Sequence, residues 1–362
     1  MTGKASNLKD KMLQNNLLLY FGRRWAIVFL VLEIIVFSVF VEGFLSLTGI
    51  QIIFFFNTAV FLIGVGELFV IITGGIDLSV GFVMGFSSIV SAKLIVFFIN
   101  IGINPVLSII FGALITLAIG LIPGFINGTL VARLNVPPFI ATFSMLSVTY
   151  GVSELLIRGI PAKNLPQLAN NIGNGYLVYI VPGRKIISFF IKPHILKRGE
   201  LILEIIPNVV VITFIIIAIF AFILRCTKFG QHTYAIGGSK EAAIRSGINV
   251  KRHLIKIYMM SSFFATLAGI IYMLKYVTGK ADAGSSFLLD SIVAVVIGGA
   301  SLYGGIGTVW KTIIGCFILA VLETGLRMFG VPTFDKYIVV GLILIFAVLI
   351  DQFFPELIHK ED

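Results

Sequence analysis

The sequence predicts an all-α integral membrane protein with about ten transmembrane helices, and three observations carry that prediction. Of its 362 residues 58% are hydrophobic and only 12% are charged, about half the charged fraction of a typical soluble domain. The mean hydropathy is +1.06. Apolar stretches of about 20 residues, the length that crosses a bilayer, recur along the chain. Because the Lys and Arg residues lie between these stretches, the net charge of +10 indicates membrane orientation and no nucleic-acid partner.

Ten stretches have the length and composition of a span. They cover residues 25–41, 50–72, 78–99, 105–131, 138–157, 205–224, 257–277, 288–302, 308–329 and 337–354. The eighth is short and ends in glycines, so nine spans or a re-entrant segment there remain alternatives. The predicted organisation is an N-terminal segment, residues 1–24, a single transmembrane domain, residues 25–354, and a C-terminal tail, residues 355–362.

Basic residues in the short loops set the orientation. Five of them precede the first span: Lys4, Lys9, Lys11, Arg23 and Arg24. An excess of Lys and Arg marks the cytoplasmic side, so we expect the N-terminus there. Counting spans then places Arg133, residues 225–256 and the C-terminus on the same side. Residues 158–204 form a long outer loop, whose apolar piece, residues 176–181, fits either a short strand or a segment lying on the membrane surface.

The loop at residues 225–256, the basic segment, holds seven Lys or Arg residues and one acidic residue, Glu241. A short helix is predicted inside it, with Ser239 as N-cap, Glu241 in the first turn and Gly247 just past its end. Glu241 and Arg245 are four residues apart and can pair across one turn. Ala242 and Ala243 would keep the surface small enough for another protein to approach. The plainer interpretation is a loop whose charge only fixes topology.

Two glycine clusters interrupt the apolar sequence. In the first, I-T-G-G-I-D-L-S-V-G at residues 72–81, Gly74 and Gly75 can end one helix and Asp77 can cap the next. The second lies within residues 288–309 and shares the pattern G-G-x-[D/S]-L-x-x-G. The pattern pairs Gly74, Gly75, Asp77, Leu78 and Gly81 with Gly298, Gly299, Ser301, Leu302 and Gly305. We interpret the clusters as vestiges of a duplicated bundle, with helix breaks near a binding site.

Two features limit which energy source could drive transport: the ionisable residues within the spans and the absence of a nucleotide-binding motif. Five charged residues fall in apolar sequence: Glu33, Glu67, Lys93, Glu154 and Glu323. An ion-driven carrier needs such groups, whereas an ATP-driven permease does not. The sequence contains no G-x-x-x-x-G-K-[ST] loop, so the chain is not expected to hydrolyse ATP or act as an enzyme. Energy then comes from a partner or an ion gradient.

Several of these motifs resemble those of one family. The sequence E-A-A-I-R-S-G, residues 241–247, resembles the E-A-A-x-x-x-G signature of ABC importer permeases, in which this loop forms a coupling helix that seats in a cleft on a separate ATPase subunit. G-G-I-D-L-S-V-G resembles the permeases for ribose, xylose, arabinose and galactose. The stretch at residues 124–142, with Asn127, and the late glycine cluster are similar to the same group. The resemblance covers about residues 44–350.

The resemblance implies a type II-like permease bundle in a bacterial cytoplasmic membrane that imports a monosaccharide by alternating access. It implies three partners besides the bilayer: an ATPase that carries ATP and Mg, an extracytoplasmic sugar-binding protein, and a second permease copy or homologue. No cofactor is expected on this chain. Expected ATPase-coupling residues are Glu241, Ala242, Ala243, Arg245 and Gly247. Candidate pathway or hinge residues are Glu67, Gly74, Gly75, Asp77, Ser79, Gly81, Asn127, Gly298, Gly299 and Ser301. The alternatives are an ABC permease for nucleosides or branched-chain amino acids, and an ion-coupled secondary carrier.

Overall fold

A computed structural model describes residues 25–193, 201–332, 335, 337–342 and 345. The N-terminal basic residues, most of the tenth expected span and the C-terminal tail lie outside these described residues. The helices are α1 Trp25–Phe40, α2 Leu47–Phe56, α3 Thr58–Ile72, α4 Val80–Asn100, α5 Pro105–Arg133, α6 Pro138–Ile157, α7 Gln167–Gly173, α8 Asn208–Cys226, α9 Lys228–Gly238, α10 Lys240–Arg245, α11 Val250–Tyr276, α12 Ser285–Ile297 and α13 Val309–Met328.

Six helices in the described part of the chain are long and apolar enough to cross a membrane, namely α4, α5, α6, α8, α11 and α13. The bent pair α2 and α3 gives a seventh. Helices α1 and α12 are apolar but shorter. With 13 residues, α12 is about 20 Å long, less than the hydrocarbon thickness of about 30 Å. The expected count of ten spans therefore stays a prediction.

The centre of the bundle is formed by α3 and α11. Every residue of α3 is buried, and α11 packs against α3, α4 and α5. Glycines four residues apart on α5 make the last contact possible. A Cβ on Gly120, Gly124 or Gly128 would lie within 2.6 Å of an atom of α11. Small residues at this spacing let two membrane helices meet backbone to backbone, where dispersion contacts replace a hydrophobic drive.

The second expected span, residues 50–72, is not one straight helix. It is bent by 43° between α2 and α3, and Asn57 lies at the break. The Asn57 amide donates a hydrogen bond to the Ile53 carbonyl (2.9 Å), and the Phe55 carbonyl accepts bonds from Thr58 Oγ1 (3.2 Å) and Lys275 Nζ. These side chains satisfy carbonyls that the break leaves without helical partners. No glycine or proline marks this break, so it was not predictable from the sequence.

The described residues are mostly helical, as the all-α prediction expects, but the loop between α6 and α8 also contains a small sheet. There β1 Val178–Val181 pairs antiparallel with β2 Ile186–Phe189 on one side and with β3 Leu203–Glu204 on the other. Alternate residues of β1 are buried, the pattern of a strand with one packed face. Lys192 Nζ donates to Glu204 Oε1 (2.7 Å), and this bond raises the pKa of Lys192. The short strand considered for residues 176–181 is therefore correct.

Candidate functional site: a glycine junction beside the basic segment

The short helix α10 has the ends that the sequence predicts. Ser239 is its N-cap, and its Oγ accepts a hydrogen bond from the Ala242 amide (3.3 Å). Past the other end, Gly247 has φ +81°, its amide donates to the Ile244 carbonyl, and the Ile248 amide donates to the Ala243 carbonyl, both at 3.0 Å. These two bonds form a Schellman motif, which requires the left-handed conformation that glycine adopts without strain.

Only part of the surface of α10 is exposed to solvent. Glu241, Ala242 and Arg245 are exposed, as is Ile244 at 56%. Ala243 is 2% exposed and packs in a cluster with residues of α5, α9 and α11. The expectation that both alanines meet a partner is wrong for Ala243, because its side of the helix covers the chain's own core. Glu241 and Arg245 do not pair with each other among the ion pairs of the described residues. Both charged groups are therefore exposed to solvent and can interact with another protein.

The basic segment contains more helix than expected. Helix α9 precedes α10, and α11 starts at Val250 instead of residue 257. Thr227 is the N-cap of α9. The first turns of α11 are helical because their apolar side chains pack inward: Val250, Leu254 and Ile255 are buried with Ala243.

Backbone contacts tie the end of α9 to both glycine turns. A Cβ on Gly237 would lie 1.8 Å from the Ile72 carbonyl oxygen and 2.5 Å from the Gly305 nitrogen. The Gly305 amide itself donates to the Ile72 carbonyl (2.8 Å), and Tyr234 Oη donates to the Gly307 carbonyl (2.6 Å). We call this meeting of residues 72–75, 237 and 304–307 the glycine junction. It joins the basic segment to the end of α3 and to the turn between α12 and α13, a contact that was not predicted from the sequence.

The two glycine turns share a backbone geometry, but in a different register from the one proposed. Gly74 has φ +76°, and the amides of residues 74 and 75 donate back to residues 71 and 70. In the second turn, Gly299 has φ +88°, while Gly298 is helical at φ −64°. The amides of residues 299 and 300 donate back to 296 and 295. Gly74 thus corresponds to Gly299, and the letter-by-letter pairing with Gly298 is wrong by one position.

Beneath the first turn lies a buried polar network that joins four elements. The backbone amide of Asp77 donates to Glu67 Oε1 (2.9 Å), which ties the turn back into α3. Asp77 accepts three further bonds: from Ser79 N (3.0 Å) and Ser79 Oγ (2.6 Å) on Oδ1, and from Ser261 Oγ (2.8 Å) on Oδ2. Asn127 Nδ2 donates to Ser79 Oγ (3.0 Å). Every one of these side chains is buried.

The structure thus brings together four of the predicted residues, Glu67, Asp77, Ser79 and Asn127, and adds Ser261 from α11, which the sequence analysis had assigned only to packing. The expected role of Asp77 as a cap for α4 is replaced by its bonds to Ser79 and Ser261. Ser301 is elsewhere: its amide donates to the Ile306 carbonyl (3.1 Å) and its Oγ accepts from the Tyr303 amide (3.3 Å), within its own turn.

Several oxygen atoms around this network have no hydrogen-bond partner among the described residues. They are Glu67 Oε2, Asn127 Oδ1, Tyr258 Oη and Ser262 Oγ, and all are buried. Tyr258 Oη lies against the first turn, because a Cβ on Gly75 would come within 2.6 Å of it. Tyr258 also lines a cavity of about 290 Å³ with Thr73, Asn135 and Lys240. This cavity separates the first glycine turn from α10.

Gly81, the last glycine of the first motif, has a packing role. It lies in the first turn of α4, where a Cβ would be 2.3 Å from the Gly284 carbonyl oxygen. One turn later, a Cβ on Gly85 would be 2.0 Å from the Ala281 carbonyl oxygen. The chain that enters α12 therefore lies directly on the α4 backbone. At the second turn, a side chain at Gly298 would clash with the Lys311 backbone, because its Cβ would lie 2.5 Å from the Lys311 carbonyl oxygen.

Comparison with known proteins relates the chain to a family of permeases. Residues 49–348 match the family described as branched-chain amino acid transport system / permease component. Among curated proteins, the chain is 34% identical to a fructose import permease of Rhizobium meliloti over 90% of this chain and 84% of the relative. It is 35% identical to a ribose import permease of Bacillus subtilis over 80% of each chain. It is 32% identical to a probable ABC transporter permease of Sinorhizobium fredii over 81% of this chain and 78% of the relative.

No solved structure matches the chain. The family match covers most of the chain, including α3 to α13, both glycine turns and the basic segment. The relatives cover four-fifths or more of this chain at identities above 30%. The chain is therefore a multi-pass membrane protein that belongs to the family of the branched-chain amino acid transport system permease component.

Proposed function

We propose that the chain is the permease subunit of a bacterial ABC importer that carries a monosaccharide across the cytoplasmic membrane. The observation that carries the proposal is the glycine junction: the capped, solvent-exposed helix α10 directly follows α9, whose Gly237 lies against the backbone of both glycine turns. An ATPase subunit that grips α10 would thereby move the ends of α3 and α12. In this proposal α10 faces the cytoplasm, and the loop containing the small sheet faces outward.

The geometry supports alternating access driven from α10. Glu241, Ile244 and Arg245 form the exposed surface that the ATPase would contact, while Ala243 anchors the helix to α5 and α11. A rigid capped helix transmits displacement because its own ends do not unravel. The closely packed junction then passes the displacement on, since packed interiors are nearly incompressible. The buried network around Asp77, with its unpaired oxygens, provides hydrogen bonds that a second arrangement of α3, α5 and α11 can exchange.

The partners follow from the same proposal. Two ATPase subunits would supply ATP and Mg, since energy for import must come from outside this chain. A sugar-binding protein would deliver substrate to the outer loop, and a second copy of the permease, or a homologue, would complete the translocation route. The names of the relatives include a ketohexose and a pentose, fructose and ribose, so the proposal extends to monosaccharides as a class.

An ion-coupled carrier is the second candidate, because Glu67 and Asp77 are two buried carboxyl groups in the membrane domain. Asp77, however, accepts three hydrogen bonds and Glu67 Oε1 is bonded to the Asp77 amide. Carboxylates held in this way fasten helices together and are poorly placed to release an ion in each cycle. The family description favours branched-chain amino acids as the cargo, but the names of the relatives favour sugars.

The test combines the purified chain in nanodiscs with a candidate ABC ATPase and a candidate sugar-binding protein. Glu241→Ala removes the exposed anion, and Gly247→Arg forces a side chain into the left-handed conformation at the C-terminal end of α10. We expect both variants to lose ATPase association and sugar-stimulated hydrolysis. Gly247→Asn is the matched control, because asparagine tolerates this conformation. Transport by the wild-type chain in the absence of any ATPase would show that the importer proposal is wrong and would direct attention to Glu67.

A further inference from the structure

The chain between α11 and α12 enters the bundle. Helix α11 ends at Tyr276, and its C-cap Val277 has φ +51°. Residues 277–284, the re-entrant segment, then run along α4. Gly279 contacts Ser88, Ala281 contacts Gly85, and Gly284 contacts Gly81. The order of these contacts shows that the segment runs antiparallel to α4, from the end of the bundle opposite α10 towards the glycine junction.

Helix lengths place the bottom of this segment near the middle of the bundle. Helix α12, which follows Gly284 and runs to the junction, has 13 residues and is about 20 Å long. Measured along α4 in the other direction, Gly81, the contact of Gly284, lies about 28 Å from Asn100 at 1.5 Å per residue. Ser285 therefore begins a helix deep inside the membrane domain.

Charged and polar side chains on this segment are nevertheless exposed. Lys280 Nζ and Asp282 Oδ1 form an ion pair at 3.0 Å, with 49% and 48% of their side chains exposed. Ser285 is also exposed, as is Lys93 on the neighbouring helix α4. A charged side chain at such depth faces water or protein, because contact with lipid is too costly. The surface beside the re-entrant segment therefore faces water or a partner protein, while the apolar exposed faces of α5 and α6 suit lipid.

An aromatic surface adjoins the charged pair. Tyr276 is 45% exposed, directly precedes the re-entrant segment in sequence, and its ring lies 4.5 Å from that of Tyr272. Both tyrosines line a small recess of about 10 Å³ with Phe287. A carboxylate accepts up to about four hydrogen bonds from hydroxyl groups, and an aromatic ring offers a flat face to the C–H side of a sugar ring. The combination suits a neutral polyhydroxylated molecule.

We propose that the re-entrant segment lines a water-filled vestibule open at the end opposite α10, and that Asp282 and Tyr276 contact the monosaccharide there on its way through the permease. The proposal rests on the proposed function for the identity of the ligand. The existence of the vestibule rests only on the depth and exposure of Lys280, Asp282 and Ser285. Two experiments separate these two parts.

The first experiment measures water access. Ser285→Cys and Leu114→Cys are made in a Cys226→Ser background, which leaves only Cys316, a buried and unreactive thiol. Ser285 and Leu114 are both exposed in the single chain, but Leu114 lies on the apolar face of α5. A charged, membrane-impermeant methanethiosulfonate reagent is added to full-length protein in proteoliposomes. We expect Ser285→Cys to react at least about tenfold faster, because only a hydrated thiol ionises. Equal, slow reaction of both thiols would overturn the vestibule.

The second experiment measures sugar transport in proteoliposomes with the ATPase and binding protein, using radiolabelled fructose and ribose as probes. Asp282→Asn and Tyr276→Ala should each raise KM about tenfold and leave ATPase association unchanged. Lys280→Gln breaks the same ion pair and should change KM less than threefold. Equal effects of Asp282→Asn and Lys280→Gln, or a fall in kcat alone, would show that Asp282 has only a structural role. If the wild-type chain binds no ATPase, the proposed function fails, while the labelling result still decides the vestibule.

Discussion

Replacing Gly237 with alanine should disconnect the basic segment from the glycine turns. The new Cβ would lie 1.8 Å from the Ile72 carbonyl oxygen, whereas Cβ contacts below 3.0 Å essentially never occur. The end of α9 and the first turn must therefore separate by at least 1.2 Å, the difference between these two distances. The same carbonyl accepts the Gly305 amide at 2.8 Å, so the displacement strains the bond that joins the two turns.

The cost follows from two terms. Overpacking of a close contact costs about 1–3 kcal/mol, and a buried backbone hydrogen bond left unmade costs about 1–3 kcal/mol. Alanine in place of glycine in a helix returns at most about 1 kcal/mol. We therefore expect Gly237→Ala to destabilise the protein by about 1–5 kcal/mol, combining these ranges. Gly238 is the matched control, because a Cβ there meets nothing within 4 Å, and Gly238→Ala should be neutral or slightly stabilising.

Two measurements on the same protein check this reasoning. The midpoint temperature of thermal unfolding in detergent should be lower than wild type for Gly237→Ala and unchanged for Gly238→Ala. In nanodiscs with the ATPase and binding protein, Gly237→Ala should retain ATPase association, since the outer face of α10 is unchanged, yet lose most sugar-stimulated hydrolysis. If the two alanine variants behave alike in both assays, the junction does not transmit motion and the contact is incidental.

Two further substitutions test the polar network and the re-entrant segment, each against a matched control. Ser261→Ala removes a hydrogen bond of 2.8 Å to Asp77 and should lower the free energy of unfolding by about 1.5–3 kcal/mol. Its control, Ser262→Ala, removes a buried hydroxyl without a partner in the described chain and should be neutral or stabilising. If both variants change the unfolding temperature equally, the hydrogen bond between Ser261 and Asp77 does not stabilise the protein. Gly81→Ala places a Cβ 2.3 Å from the Gly284 carbonyl and should cost about 1–3 kcal/mol, while Gly151→Ala, with nothing within 4 Å, should gain up to about 1 kcal/mol. If Gly81→Ala unfolds at the wild-type temperature, the close packing of the re-entrant segment on α4 is not needed.

Features that depend on a few neighbouring residues were predictable from the sequence. The N-cap at Ser239 and the glycine at 247 define α10 by local hydrogen bonds, and the helix break at Gly74 needs only a positive φ. The apolar lengths likewise indicated most membrane helices, because period and length are local properties. Their bounds moved where packing extended a helix, as at Val250, which is buried under α10.

Features made by distant residues were not predictable. Ser261 and Asp77 are 184 residues apart in sequence, and nothing near Ser261 distinguishes it from a packing residue. Ala243 was expected at a partner surface, but which side of a two-turn helix faces inward depends on α5 and α11. The two glycine turns correspond in a different register from the letter pattern, because the hydrogen bonds at the end of the preceding helix decide which residue takes the left-handed conformation. These bonds give Gly299 the position in its turn that Gly74 has in the first.

The contacts also explain how a small helix at one end can act on a vestibule at the middle of the bundle. Helix α9 meets Ile72 and Gly305 through backbone atoms, and the turn that follows Ile72 is fastened to Glu67 and Ser261 through Asp77. Gly81, four residues beyond Asp77, carries the re-entrant segment on its backbone. Glycine contacts have no side chains that could absorb a displacement by changing rotamer, so a shift at one contact must move the next backbone. Gly237→Ala and Gly81→Ala together test whether these successive contacts are coupled. If they interrupt one route, each should uncouple hydrolysis from sugar, and the double variant should be no worse than the more severe single one.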